Sequence, residues 1–253
     1  MKAIKVLFIA TSHDKLGDTN YRTGVWLEEL AAPYYVFTDM GIALTIASPN
    51  GGLIPLDPKS ESILMATQTT KRFLKDEVAM SFISDSTQLE DVKAGDFDAV
   101  FLPGGHGAMW DITDNLIVKQ LLEAFDGEKK PIGAVGHGIV GLLLLQNDNG
   151  GLLIKGKQIT GFSNSEQESA GLAKVVPFFV ETRLISVGAL YSKRDNYLSH
   201  VVVDDNIITG QNPASAEGVA KKMATLLPLP KQKPVVHRSV ISNDTYLKGR
   251  GLT

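Results

Sequence analysis

The stretch from Ile132 to Leu145, IGAVGHGIVGLLLL, carries the residue types and spacing that point to chemistry. A short apolar run meets an abrupt Gly-His-Gly turn and continues as an apolar segment. This is the build of a nucleophile elbow, a sharp strand-to-helix turn that lifts one side chain above a parallel sheet. The residue at the top of the turn is Gly136, which has no side chain, and the chain contains 0 Cys, so no thiol from elsewhere can take its place. His137 follows directly. An imidazole titrates near neutrality, so this position suits a general acid or base oriented by a third polar group. A hydrogen-bonded structural histidine is the plainer alternative.

A second glycine turn follows the run Ala99 to Leu102 and reads Pro103-Gly104-Gly105-His106-Gly107. Ligands of open α/β sheets bind beyond the carboxyl ends of the strands, so this turn and the elbow should face one crevice. Backbone N–H groups of such a turn can approach a carbonyl oxygen and stabilise negative charge there. Gly104, Gly105 and Gly138 are therefore expected on the oxyanion or substrate side, with His106 lining the pocket. Gly136, Gly138 and Gly141 also satisfy G-x-G-x-x-G, a dinucleotide signature. They stand in the middle of the chain, and Gly156 to Thr160, where an acid should follow, holds none. A nucleotide cofactor is not expected.

The elements that must position these turns alternate in type. Strand-like runs at Ile4 to Ala10, Leu44 to Ala47, Ala99 to Leu102 and Ile132 to Val135 are separated by helical stretches from Val25 to Met40, Thr70 to Phe82 and Asn115 to Phe125. This predicts an α/β fold with a mostly parallel central sheet covered by helices on both faces. The elbow helix is expected over Gly138 to Leu145. Further on come a strand at Gln158 to Thr160 and helices over Ser165 to Leu172 and Pro177 to Val187. Ser199 to Val203 and Asn206 to Thr209 flank Asp204-Asp205 as a hairpin. A last helix is capped by Asn212, begins at Pro213 and runs to about Leu227. The Gly- and Pro-rich loop Asn50 to Pro58 is long enough to cover a site. Residues 1–253 read as one domain with its core over about 5–227, and the proline-punctuated tail over 228–253 is expected on the surface.

With 43% hydrophobic and 21% charged residues and a net charge of −3, the composition is that of an ordinary globular protein without a basic surface for nucleic acid. No apolar run approaches the roughly 18 residues needed to span a bilayer, and no signal segment is apparent, so a cytoplasmic protein without a membrane partner is expected. Zero Cys excludes disulfides and thiolate metal sites and fits a reducing compartment.

AVGHGIVGLL, the upstream LPGGHGAMWD, GVWLEELAAPYYVFTDMGIALTIASP near the start and ITGQNPASAEGVA near the end together resemble the DJ-1/PfpI superfamily, in particular its Hsp31-like branch. Members of that branch are described as glutathione-independent glyoxalases (glyoxalase III) and stress chaperones. The resemblance covers about Lys5 to Leu227 and implies a flavodoxin-like three-layer sandwich and a homodimer. In that family the elbow reads A-V-C-H-G or A-V-C-H-A: the Cys is the nucleophile, His follows it, and a Glu of the first helix approaches the thiol. The matching positions are Gly136, His137 and Glu29, and Gly104 and Gly105 match the oxyanion-side turn. Some members supply the third polar group from the region of Asn164, Ser165 and Glu166. A buried Glu29 would tend toward its protonated form, whereas Glu28 better fits a solvated first-turn acid. His13, His106 and Glu29 show no local metal-ligand spacing, so no metal is expected.

The resemblance implies thiolate attack on a 2-oxoaldehyde, then proton shifts by Glu and His that yield the hydroxy acid. Gly136 can do none of this, and losing a covalent nucleophile costs roughly 10⁴ to 10⁶ in rate. Three accounts follow. The natural protein carries Cys there and this chain is an inactivated version. Alternatively, the Gly is native and leaves a binder of a small carbonyl compound or a protein partner. Or the space admits water or substrate, and Glu29 and His137 do non-covalent acid–base chemistry such as hydration or isomerisation. Holdase chaperone activity would require a large exposed apolar patch.

Overall fold

A computed structural model describes residues 3–228. Nine strands are present among the described residues: β1 (Lys5–Ile9), β2 (Ala43–Ser48), β3 (Thr87–Gln88), β4 (Ala99–Leu102), β5 (Ile132–Val135), β6 (Gln158–Ile159), β7 (Leu190–Tyr191), β8 (Val201–Asp204) and β9 (Ile207–Gly210). Seven of them form one sheet in the order β3-β2-β1-β4-β5-β9-β8, and β6 pairs with β7 separately. Every pairing in the main sheet is parallel except β8 with β9, the expected hairpin turning at Asp205, whose φ is +56°. The fold is the mostly parallel α/β arrangement that the alternation of elements predicts, in the flavodoxin-like form that the resemblance implies.

β1 shows why both faces are covered. Val6 and Phe8 enter one apolar layer with Leu30, Phe37, Phe101 and Met223, while Leu7 and Ile9 enter the other with Leu122, Phe125 and Ile139. Successive side chains of a strand point to opposite faces, so an unbroken apolar run needs cover on both. The helices are α1 (Leu27–Thr38), α2 (Gln68–Phe73), α3 (Glu77–Ser84), α4 (Ala108–Asp111), α5 (Leu116–Gly127), α6 (Asn164–Ser169), α7 (Val180–Ser186) and α8 (Ala216–Leu226). Helix α1 packs between the sheet, α2 and α8, which explains why it is buried almost all round.

Several boundaries differ from expectation for local reasons. The single helix expected over Thr70 to Phe82 is two, because the Asp76 carboxylate accepts the N–H groups of Val78 and Ala79 and starts α3 afresh. The helix after the elbow is a 3₁₀ helix over Gly136–Leu142 instead of an α-helix from Gly138. Gly138 lies against the carbonyls of Leu102 and Pro103, and Gly141 against the Leu102 side chain, so the tighter coil seats this segment on the end of β4. Asn212 does not cap the last helix. Its side-chain amide donates to Glu166 Oε1 and to the Leu198 carbonyl, both at 2.8 Å, and a 3₁₀ turn at Pro213–Ser215 leads into α8. The short strands β3 and β7 are additional to those expected. Of the tail expected over 228–253, residues 229–253 lie outside the described residues.

Candidate active site

The elbow forms where β5 ends. Val135 is extended (φ −137°, ψ 147°), and Gly136 then reverses the chain at φ +55°. An L side chain in this left-handed region costs roughly 1–2 kcal/mol, so the turn is one that a glycine makes without strain. A Cβ at Gly136 would meet Glu29 Oε1 at 2.5 Å and Oε2 at 2.8 Å. The carboxyl group of Glu29 thus fills the space directly in front of the elbow.

Glu29 reaches that place from the first turn of α1 and is 2% exposed. Its Oε2 accepts the N–H of Gly104 at 2.8 Å. The glycine turn after β4 comes this close because Gly104 has no Cβ; one there would run into Glu29, the Val135 carbonyl and the His137 N–H. The Gly104 carbonyl in turn accepts the Trp26 N–H, and Val25 pairs with Pro55 and Asp57 of the Asn50 to Pro58 loop. That loop therefore buttresses the start of α1. Glu28 turns outward to the Thr67 hydroxyl.

His137 and His106 lie side by side with ring centroids 4.2 Å apart, and Phe162 packs on His137 at 4.5 Å. Gln167 links the two imidazoles. His137 Nε2 lies 2.8 Å from its Oε1, and its Nε2 lies 3.3 Å from His106 Nε2. The third polar group is therefore Gln167, one residue past the region Asn164 to Glu166 where it was expected. Those three are engaged elsewhere. Glu166 holds the Ser163 cap, the Tyr197 N–H and Asn212; Asn164 holds Thr182, and Ser165 holds Asn196. The S-x-x-E capping box at Ser163–Glu166 signals the start of α6 and commits Glu166 to it, but it does not by itself single out Gln167.

Burial sets the charge of these groups. Desolvation pushes the Glu29 carboxyl up to about 8, against the opposing pull of the Gly104 N–H, so it is predominantly protonated at neutral pH. Burial pushes His137 down to about 4, although its bond to Gln167 favours the charged ring. His106 is driven well below the usual imidazole range, first by burial and then by His137 beside it. At pH 7 the three groups form an uncharged set of one carboxylic acid and two neutral imidazoles.

Glu29, Gly104 and Gly136 come together at the elbow, and His137, the next residue, lies against His106 and Gln167. Gly104 differs from expectation in one respect: its N–H is donated to Glu29 and is not free for an oxyanion. Gly105 packs under Gly24 and Trp26, and Gly138 under the end of β4, so both serve close backbone packing. His13 stacks on Trp110 at 5.1 Å, apart from this cluster. No group of three or more His, Cys, Asp or Glu side chains among the described residues could hold a metal. A groove of about 700 Å³ opens at the outer edge of β2, lined by residues that include Tyr34, Leu44, Glu77 and Phe82; Glu29, His106 and His137 do not border it. No helix among the described residues is long and apolar enough to cross a membrane.

Comparison with known proteins agrees with this architecture. The chain is 39% identical to the Rapid Encystment Protein 24 KDa of Francisella tularensis over 88% of its own length and 98% of that structure, with a TM-score of 0.83. Against the glyoxalase III structure from Candida albicans the identity is 25%, the TM-score 0.80, and the coverage 88% of this chain and 96% of that one. The human glutamine amidotransferase-like class 1 domain-containing protein 1 is 30% identical over 173 residues, 68% of this chain and 74% of that protein. The DJ-1/PfpI family model matches residues 22–226, and the chain belongs to the DJ-1/PfpI family.

Proposed function

We propose that this protein uses a glyoxalase III-like scaffold to bind a small carbonyl compound and does not convert it through a covalent intermediate. The observation that carries this reading is the pairing of His137 with Gln167. In a nucleophile–base–acid constellation the imidazole takes the nucleophile's proton, and a carboxylate stabilises the imidazolium that forms. Here the elbow residue has no side chain, and the partner of the imidazole is an amide without charge. Exchanging that acid for an amide costs about 10⁴ in rate even where the nucleophile is intact. Both departures act in one direction, and burial adds to them by keeping His137 neutral. A single inactivating substitution at Gly136 would not account for Gln167.

The same groups suit binding. A protonated Glu29 can donate a hydrogen bond, and neutral imidazoles beside Phe162 offer polar edges in an otherwise apolar surround. Non-covalent acid–base turnover is the competing reading, and Glu29 would carry it.

Methylglyoxal turnover to lactate by the unaltered protein, Gly136→Cys and Glu29→Gln separates these readings. The expected result is no lactate above the uncatalysed rate from the unaltered protein and measurable turnover from folded Gly136→Cys. Turnover by the unaltered protein that disappears in Glu29→Gln would overturn the proposal in favour of the acid–base enzyme. Folded Gly136→Cys without any gain would argue against a glyoxalase III-like hollow.

A further inference from the structure

One side-chain amide touches both imidazoles, and its two ends are chemically different. The oxygen of Gln167 only accepts, so His137 must present a proton on Nε2 to it. The nitrogen of Gln167 only donates, so Nε2 of His106 must present a lone pair to it. A neutral imidazole carries one N–H. The proton of His106 is therefore on Nδ1, and that atom is buried without a hydrogen-bond partner among the described residues. An unsatisfied buried donor costs about 1–3 kcal/mol, and such groups in native proteins call for an explanation.

We propose that Gln167 fixes the tautomers of both imidazoles and so makes His106 Nδ1–H the donor that receives the carbonyl oxygen of a small uncharged ligand. The ligand class rests on the binding reading given above; the tautomer assignment does not. Charge decides the class. His106 cannot accept a second proton on Nε2 without turning an N–H against the Gln167 amide, so it stays neutral and offers a dipole, not a cation. Glu29 and His137 are also uncharged at pH 7. Burying a carboxylate among neutral groups is costly, whereas a ketone or aldehyde oxygen needs only the one N–H. The exposed Lys59 ammonium is the cation whose field reaches His106, and from water it is a screened partner for an anion. Gln167 is a positioning residue in this scheme, acting through His106.

The test uses the full chain with ¹⁵N-labelled histidine and long-range ¹H–¹⁵N correlation at pH 7, which reports which ring nitrogen bears the proton. His106 should show Nδ1 protonated and Nε2 bare, and His137 the reverse. Gln167→Glu, whose carboxylate only accepts, should move the proton of His106 to Nε2. Hydroxyacetone is the neutral carbonyl probe and sodium acetate the anionic one. Hydroxyacetone should shift the His106 Nδ1 signal saturably in the unaltered protein and bind at least tenfold more weakly to Gln167→Glu; acetate should leave the signal in place. Nε2–H on His106 of the unaltered protein, or no tautomer change in Gln167→Glu, overturns the tautomer assignment without touching the turnover test above. Correct tautomers with no hydroxyacetone response, or a response to acetate instead, overturn the ligand class.

Discussion

Glu29 Oε1 lies 2.5 Å from the point that a Cβ on Gly136 would occupy, so these two residues compete for one volume. Gly136→Ala must both hold φ at +55° and push the carboxyl aside, which puts its bond to Gly104 at risk. Left-handed strain and one lost hydrogen bond together predict a destabilisation of about 2–3 kcal/mol. In a Glu29→Ala background the volume is free, and the cost of Gly136→Ala should fall to the strain alone, about 1–2 kcal/mol. Urea unfolding of the four proteins of this cycle measures the difference. Equal costs in both backgrounds would mean that Glu29 does not occupy the place in front of the elbow.

The raised Glu29 and the depressed His137 act on stability in opposite pH windows. Glu29 is raised to about 8 from the ordinary carboxyl value of 4.5, so the folded state retains a proton that the unfolded chain has lost between those values. Its contribution to stability is full below pH 4.5 and is lost as pH rises toward 8. His137 is lowered from 6.5 to about 4, so its contribution is full above 6.5 and is lost as pH falls toward 4. The two trends oppose one another between pH 4.5 and 6.5, and of the two only the Glu29 loss operates from 6.5 to 8. Unfolding free energy should therefore fall across that alkaline interval by up to about 1.4 kcal/mol per pH unit, and Glu29→Gln should flatten it. A slope unchanged in Glu29→Gln would show that Glu29 is ionised in the folded protein.

The imidazole partner offers an independent lever on chemistry. If Gly136→Cys restores turnover, the new thiol still faces a His137 whose partner is an amide. Adding Gln167→Glu supplies the missing charge and should raise kcat for methylglyoxal in the double variant at least tenfold over Gly136→Cys alone, measured at saturating substrate because KM should rise. The corresponding loss in a triad, about 10⁴, sets the upper scale. The pH profile of the double variant should also show a base titrating closer to neutrality than the His137 value near 4. A double variant no faster than the single one would mean that His137 takes no part in proton transfer.

The parts legible in the sequence were those fixed by short-range pattern. The glycine turns at 104–105 and 136–138 and the hairpin at Asp204-Asp205 stand where their local chemistry puts them, whereas Glu29 was singled out from Glu28 only by the resemblance to the DJ-1/PfpI family. Gln167 was not legible, because nothing local distinguishes it from Asn164, Ser165 and Glu166. Only the packing of α6 against the elbow shows that Glu166 is used up by the Ser163 cap while its neighbour faces the imidazoles. The use of the Gly104 N–H was hidden for a similar reason. A glycine turn advertises free N–H groups, and the acid that takes one comes from 75 positions earlier in the chain.

Two glycines with opposite surroundings test whether the hollow is held by backbone contact. A Cβ on Gly104 would stand 2.5 Å from the Val135 carbonyl and 2.7 Å from the His137 N–H, and it would also run into the carboxyl of Glu29. The first two are backbone atoms at the end of β5 and in the elbow, which cannot yield without shifting the turn itself. Gly104→Ala should therefore destabilise the protein by more than about 3 kcal/mol, in the range that marks a specific structural conflict. Gly127 ends α5 with nothing within 4 Å of its Cβ position and an ordinary helical neighbourhood. There Gly→Ala should stabilise by roughly 0.5–1 kcal/mol through helix propensity. Thermal and urea unfolding of the two variants should thus move in opposite directions. If Gly104→Ala is tolerated like Gly127→Ala, the strand-end turn and the elbow are not in contact, and Glu29 has no fixed anchor from which to fill the space before Gly136.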